Sequence, residues 1–154
     1  LSQFEAERRA GRTYRLPTEA EWEYCCRAGA RGNFAFGATL GVAHANFRSS
    51  GLNRTTPTSA YPPNAWGLYD VHGNLWEWCA DWYKLDFYRE APVNDPPGPA
   101  RGTRRVARGG AYNSPAEDCM AAFRCDRFAP DERNASVGFR VICLSPELDH
   151  DEDR

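Results

Sequence analysis

Residues 61–83 read YPPNAWGLYDVHGNLWEWCADWY, and no single helix or strand period accounts for them. Aromatic rings, glycines and amides are interleaved at high density. Two shorter stretches share this character, RGGAY at 108–112 and GFRV at 138–141. Apolar side chains spaced so irregularly do not line one face of a long helix or a broad sheet. Such a segment is held by turns, or by turns together with a bound ion. A chain built around it folds into many short pieces on a shared core.

At 154 residues the chain is long enough for one domain with a real core. Its net charge of −2, with mixed signs, provides no electrostatic basis for binding nucleic acid or an anionic membrane surface. No apolar run approaches the roughly 18–20 residues of a membrane span. The chain opens on Leu1 rather than Met, within what reads as the middle of a helix, so a fragment is expected. The six cysteines, Cys25, Cys26, Cys79, Cys119, Cys125 and Cys143, form no CxxC pair, which argues against a zinc ribbon or thioredoxin-type site. They leave the redox compartment open.

Residues 1–10 read as the end of an amphipathic helix stopped at Gly11. Thr18 and Glu21 then form a capping box behind Leu16-Pro17 and predict a helix to about Gly29, with Trp22 and Cys25 or Cys26 on one face. Residues 31–63 are loop-like, with anchors at Phe34, Phe36 and Phe47, and a loop of this length is expected to be functional or ion-stabilised. His72-Gly73-Asn74 reads as a tight turn leading into an extended stretch to Trp82. Residues 84–103 form a Pro-rich excursion. Three short strands are expected at 106–112, 120–127 and 138–144, with an acidic, disordered tail at 145–154. Short strands, few helices and much irregular loop make an α+β domain rather than a doubly wound parallel sheet.

RLPTEAEWEY, YPPNAWGLYDVHGNLWEW, RGGAY and GFRV occur in that order. Together they resemble the formylglycine-generating enzyme (sulfatase-modifying factor) family over residues 13–144. The resemblance implies a C-type-lectin-like fold with low regular secondary structure and short antiparallel strands. It makes residues 1–144 one such domain, lacking an upstream strand-rich portion that the family normally has. It also implies calcium as a structural ion. In active members it implies a copper(I) site of two cysteines that oxidises a cysteine in a Cys-x-Pro-x-Arg segment of a sulfatase to formylglycine, using dioxygen.

The site residues follow from that resemblance. Soft thiolates suit Cu(I). The first copper cysteine of the family falls on Ser114 here and the second on Cys119, while the family's motif serine is Ala111. A serine hydroxyl is a poor Cu(I) ligand. Cys125 would have to supply the second sulfur, from the same strand face as Cys119 if no bulge intervenes. Otherwise Cys119 is simply a buried thiol. Calcium takes oxygen ligands, and Asn74 and Glu77 match one family calcium loop, with Asn46 matching the start of another. The alternative is that Asn74 stabilises the turn and Glu77 pairs with an arginine. Arg108 and Arg140 read as buried, hydrogen-bonded guanidinium groups. Trp76, Trp78 and Trp82 read as core, with Trp78 also placed to wall a groove. Tyr112 and Ser114 join Trp78 as candidate substrate contacts. The three histidines are too scattered for an iron or catalytic cluster.

Three functions are consistent with these residues: an oxidase acting on a protein or peptide cysteine, a ligand-binding module, or an accessory domain of a larger iron enzyme. In variable proteins of diversity-generating retroelements, which share the family's lectin-like fold, the stretch between RGG and GFRV contacts ligand. Here it spans residues 113–137.

Overall fold

The computed structural model describes residues 5–146. Helix α1 (Glu5–Arg9) leads into strand β1 (Thr13–Arg15) and helix α2 (Glu19–Arg27). A long irregular stretch follows, with a 3-10 turn at Arg48–Ser50. Then come β2 (Trp76–Trp82), the short helix α3 (Phe87–Glu90), β3 (Arg105–Arg108), a second 3-10 turn (Ala116–Cys119), β4 (Val137–Gly138) and β5 (Ile142–Leu144). This is the expected α+β architecture of short elements and long loops. Residues 1–4 and 147–154, which include most of the expected acidic tail, lie outside the described residues.

The capping box sets the start of α2. Glu21 N–H donates to Thr18 Oγ1 at 3.2 Å, and Thr18 N–H donates to Glu21 Oε2 at 2.7 Å. Trp22 and Cys26, four residues apart, face the core, whereas Cys25 is only half-buried. The helix ends at Ala28 in a left-handed conformation. There the Asn64 amide donates to the carbonyls of Cys25 and Cys26, at 2.8 and 3.1 Å, so the aromatic block is pinned to the end of α2.

β2 is the centre of the molecule. It pairs antiparallel with β3 (Glu77 opposite Arg108) and parallel with β4 (Trp76 opposite Val137). β1 and β5 form a separate antiparallel pair. Side chains alternate across β2. Trp76 packs with Ala107, Ala111, Cys125 and Phe128, with Trp78 against that cluster. On the other face Cys79 packs with Trp22, Cys26, Val71 and Val106. Both faces are covered, so the strand reads as dense aromatic rather than as alternating apolar and polar residues.

Three expected strands are shorter or absent. The strand at 106–112 stops at Arg108, because Gly109 and Gly110 both take positive φ and a Cβ on Gly110 would overlap Cys119 Sγ. Residues 120–127 form no strand, only an isolated bridge between Cys125 and Ala107. The carbonyls of Ala121 and Phe123 accept from the Arg108 guanidinium instead of from a neighbouring strand. The stretch 138–144 splits between β4 and β5, which join different sheets.

Candidate functional site

The His72-Gly73-Asn74 turn brings the motif residues together. Gly73 sits at φ +78, and a Cβ there would collide with the Asn46 carbonyl, so only glycine fits. Its N–H donates to Gly109 O at 2.7 Å, while Asn74 N–H donates to Asn46 O at 2.7 Å and Tyr112 N–H to Asn74 O at 3.0 Å. The turn therefore ties the RGG segment to the loop carrying Asn46.

Two cavities lie on opposite faces of β2. The first, on the Trp76 face, is about 240 Å³ and is lined by Arg48, Trp76, Asn113, Ser114, Asp118, Arg127 and Phe128, among others. Ser114 is buried and its hydroxyl accepts from Ala111 N–H at 3.0 Å. Cys119 is fully buried against Phe34, Leu40, Ala45 and Phe47, and burial pushes its thiol up to about 12. Cys125 packs in the other cluster, with Trp76 and Phe128. Without the strand at 120–127, the shared strand face expected for Cys119 and Cys125 does not exist. The residues present do not fit a two-thiolate copper site. Ser114, where the family resemblance would put the first ligand, carries a hydroxyl engaged with the backbone, and Cys119 and Cys125 sit in separate apolar clusters. Tyr112 is half-buried. Trp78 walls a separate groove of about 440 Å³ with Leu16, Cys79 and Arg105, rather than the Ser114 cleft.

The second cavity, on the Glu77 face, is about 400 Å³ and is lined by Asp70, Asn74, Glu77, Phe139 and Arg140, among others. Glu77 accepts from Arg140 Nη2 at 2.6 Å and from Trp22 Nε1 at 2.6 Å, so it is paired with an arginine. Asn74 spends its side chain on Thr56, accepting from its N–H at 2.9 Å and donating to its carbonyl at 3.2 Å. Asn46 likewise closes its own loop, donating to Arg54 O at 2.8 Å and accepting from Ser50 Oγ at 2.9 Å. Sequence reasoning missed Asp70. It sits in the left-handed region at φ 56, and partial burial pushes its carboxyl up. A carboxylate seven residues from Glu77, on a turn, has no period that would flag it.

Among the described residues no three His, Cys, Asp or Glu side chains converge as metal ligands. Asp70 and Glu77 do share one cavity. Two carboxylates are oxygen donors of the kind calcium takes. Arg140 Nε and Nη2 and Trp22 Nε1 together fill three of the roughly four acceptor positions of the Glu77 carboxylate, which leaves one on Oε1.

Residues 2–144 match the family model described as a sulfatase-modifying factor enzyme 1-like domain. The chain is 39% identical over 148 residues to the formylglycine-generating enzyme of Streptomyces coelicolor, covering 82% of this chain and 45% of that protein. It superposes on PvdO from Pseudomonas aeruginosa with a TM-score of 0.78 at 35% identity, over 91% of this chain and 56% of that one. Treponema denticola variable protein 1 gives a TM-score of 0.73 at 33% identity, over 86% of this chain and 48% of that one. The chain thus spans about half the length of each of these proteins.

Proposed function

The chain belongs to the sulfatase-modifying factor enzyme 1-like domain family, and we propose that this member is a ligand-binding domain that holds a protein or peptide segment at the Ser114 cleft. The observation that carries this reading is Ser114 itself. Its oxygen is tied to Ala111 N–H where the family resemblance puts a copper cysteine. Binding by positioned polar groups and aromatic walls needs no second thiolate. The cleft has both, with Trp76 and Phe128 against Asn113, Ser114 and Asp118.

The competing reading is cysteine oxidation, with Cys119 and Cys125 carrying the chemistry. The test is mass spectrometry of a Cys-x-Pro-x-Arg peptide incubated aerobically with the protein and Cu(I). The expected result is no conversion of the thiol to formylglycine, with a catalytically active relative converting the same peptide alongside. Conversion would replace the binding reading with an oxidase.

A structural calcium ion belongs to the same proposal, held by Asp70 and Glu77 rather than by the Asn74 and Asn46 side chains. Saturating calcium at about a hundredfold excess over Kd adds on the order of 2–3 kcal/mol. For a domain this size EDTA then lowers Tm by about 5–10 °C. Asp70→Ala is expected to remove most of that EDTA response. An EDTA-insensitive Tm in the unsubstituted protein would remove the calcium proposal.

A further inference from the structure

The charged groups lining the Ser114 cleft are two arginines and one aspartate, leaving one unbalanced positive charge. Arg48 stands on one side. Its backbone N–H donates to Ser114 O at 2.9 Å and its Nε to Asn113 O at 3.0 Å, which fixes the guanidinium against the cleft while the residue stays exposed. Arg127 stands by the Ala116–Cys119 turn, its Nη1 3.0 Å from Asp118 Oδ2. That Arg127 side chain is 58% exposed, whereas Asp118 is 10% exposed, so the cation faces solvent and its counter-ion does not. Each guanidinium keeps N–H donors beyond these contacts. Trp76 and Phe128 line the same cleft as its apolar part.

We propose that the Ser114 cleft binds a carboxylate of an acidic peptide between the Arg48 and Arg127 guanidinium groups. This rests on the ligand-binding reading above and names its ligand class. Planar guanidinium forks match carboxylate geometry, and charge-assisted bonds in a partly desolvated cleft are the strong ones. The carboxylate is either an Asp or Glu side chain or a peptide C-terminus. A Cys-x-Pro-x-Arg segment carries a positive arginine instead, the same sign as the excess charge of this cleft.

The test is a titration followed by the Arg Nε–H resonances of 15N-labelled protein. The probes are N-acetyl-glutamate α-amide for a side-chain carboxylate, N-acetyl-glycine for a terminal one, and N-acetyl-arginine amide as the cationic control. The expected result is a saturable shift of the Arg48 and Arg127 resonances with one or both carboxylate probes and none with the cation. Arg48→Gln and Arg127→Gln each weaken binding by about tenfold or more. Both lie on the surface, and an unchanged backbone amide spectrum shows that the fold survives. Stronger binding of the arginine probe at the cleft would overturn the acidic class and leave the ligand-binding reading standing. No saturable change at the cleft with any of the probes would overturn the acidic class. Failure of a random-peptide library to perturb the cleft would remove the ligand-binding reading as well.

Discussion

Arg108→Met is expected to destabilise the domain by about 3–5 kcal/mol, a large part of the roughly 5–15 kcal/mol that holds a typical domain folded. The Arg108 side chain is fully buried. It forms ion pairs with Glu23 and, at 3.4 Å, with Glu19, and donates to Phe123 O at 2.6 Å and Ala121 O at 2.7 Å. Its guanidinium also lies 5.4 Å from the Trp22 ring centre. Arg124 holds Glu19 from the other side at 2.7 and 2.9 Å, and Arg27 holds Glu23 at 2.8 Å. Asp81, also buried, accepts from Glu19 N–H at 2.7 Å. Arg108, Arg124 and Arg27 therefore balance Glu19, Glu23 and Asp81. Methionine fills much of the volume but leaves one buried negative charge uncompensated and two carbonyls without a donor. Arg108→Lys keeps the charge but cannot reach both carboxylates and both carbonyls, so it should fall between the two. The measurement is the denaturation midpoint at constant m-value. A loss below about 1 kcal/mol for Arg108→Met would mean that the network contributes little to holding α2 on β3.

That network also shows what sequence alone does and does not reveal. The capping box at Thr18 and Glu21 was legible because its whole mechanism spans four residues. β2 was legible because three tryptophans at even spacing force an extended chain. The buried character of Arg108 and the pairing of Glu77 with an arginine follow from the cost of burying lone charges. The strand expected at 120–127 fails because a side chain from another strand takes its carbonyls, a partnership 13 to 15 residues away in sequence. Arg48 and Asp70 were not singled out for the same reason. Arg48 meets Asn113 across 65 residues, and Asp70 comes to line one cavity with Glu77 only through the shape of the chain between them. Motif spacing located the Ser114 position, and its bond to Ala111 spans only three residues. The separation of Cys119 from Cys125 into two packing clusters required the fold.

Acid is expected to loosen the same turn that organises both cavities. His72 is buried, with Nδ1 2.8 Å from Cys119 O and Nε2 accepting from Ala35 N–H at 2.9 Å. That pattern assigns the proton to Nδ1 and leaves Nε2 as an acceptor. Phe34 and Phe36 set ring edges against it, at 5.4 and 5.9 Å between centres. Burial holds its pKa down at about 4, against roughly 6.5 in an unfolded chain. Protonation would turn Nε2 into a donor facing the Ala35 donor. Between pH 6.5 and 4 the unfolded chain therefore binds a proton that the folded chain refuses, and stability falls as pH falls. The loss levels off below the folded pKa at about 3 kcal/mol. Other groups titrate nearby with different signs. Glu21, held down at about 2 by the Arg15 side chain, adds its own loss, but mainly below pH 4.5. Asp70 and Asp81, both pushed up by burial, work in the opposite direction, since the folded state takes up their protons first. The difference between the native protein and His72→Gln isolates the histidine. Glutamine can donate to Cys119 O and accept from Ala35 without titrating, so its stability should be about 3 kcal/mol less sensitive to pH between 6.5 and 4. Parallel stability curves for the two proteins across that window would show that His72 protonates as readily folded as unfolded, and the turn would then have no acid-sensitive centre.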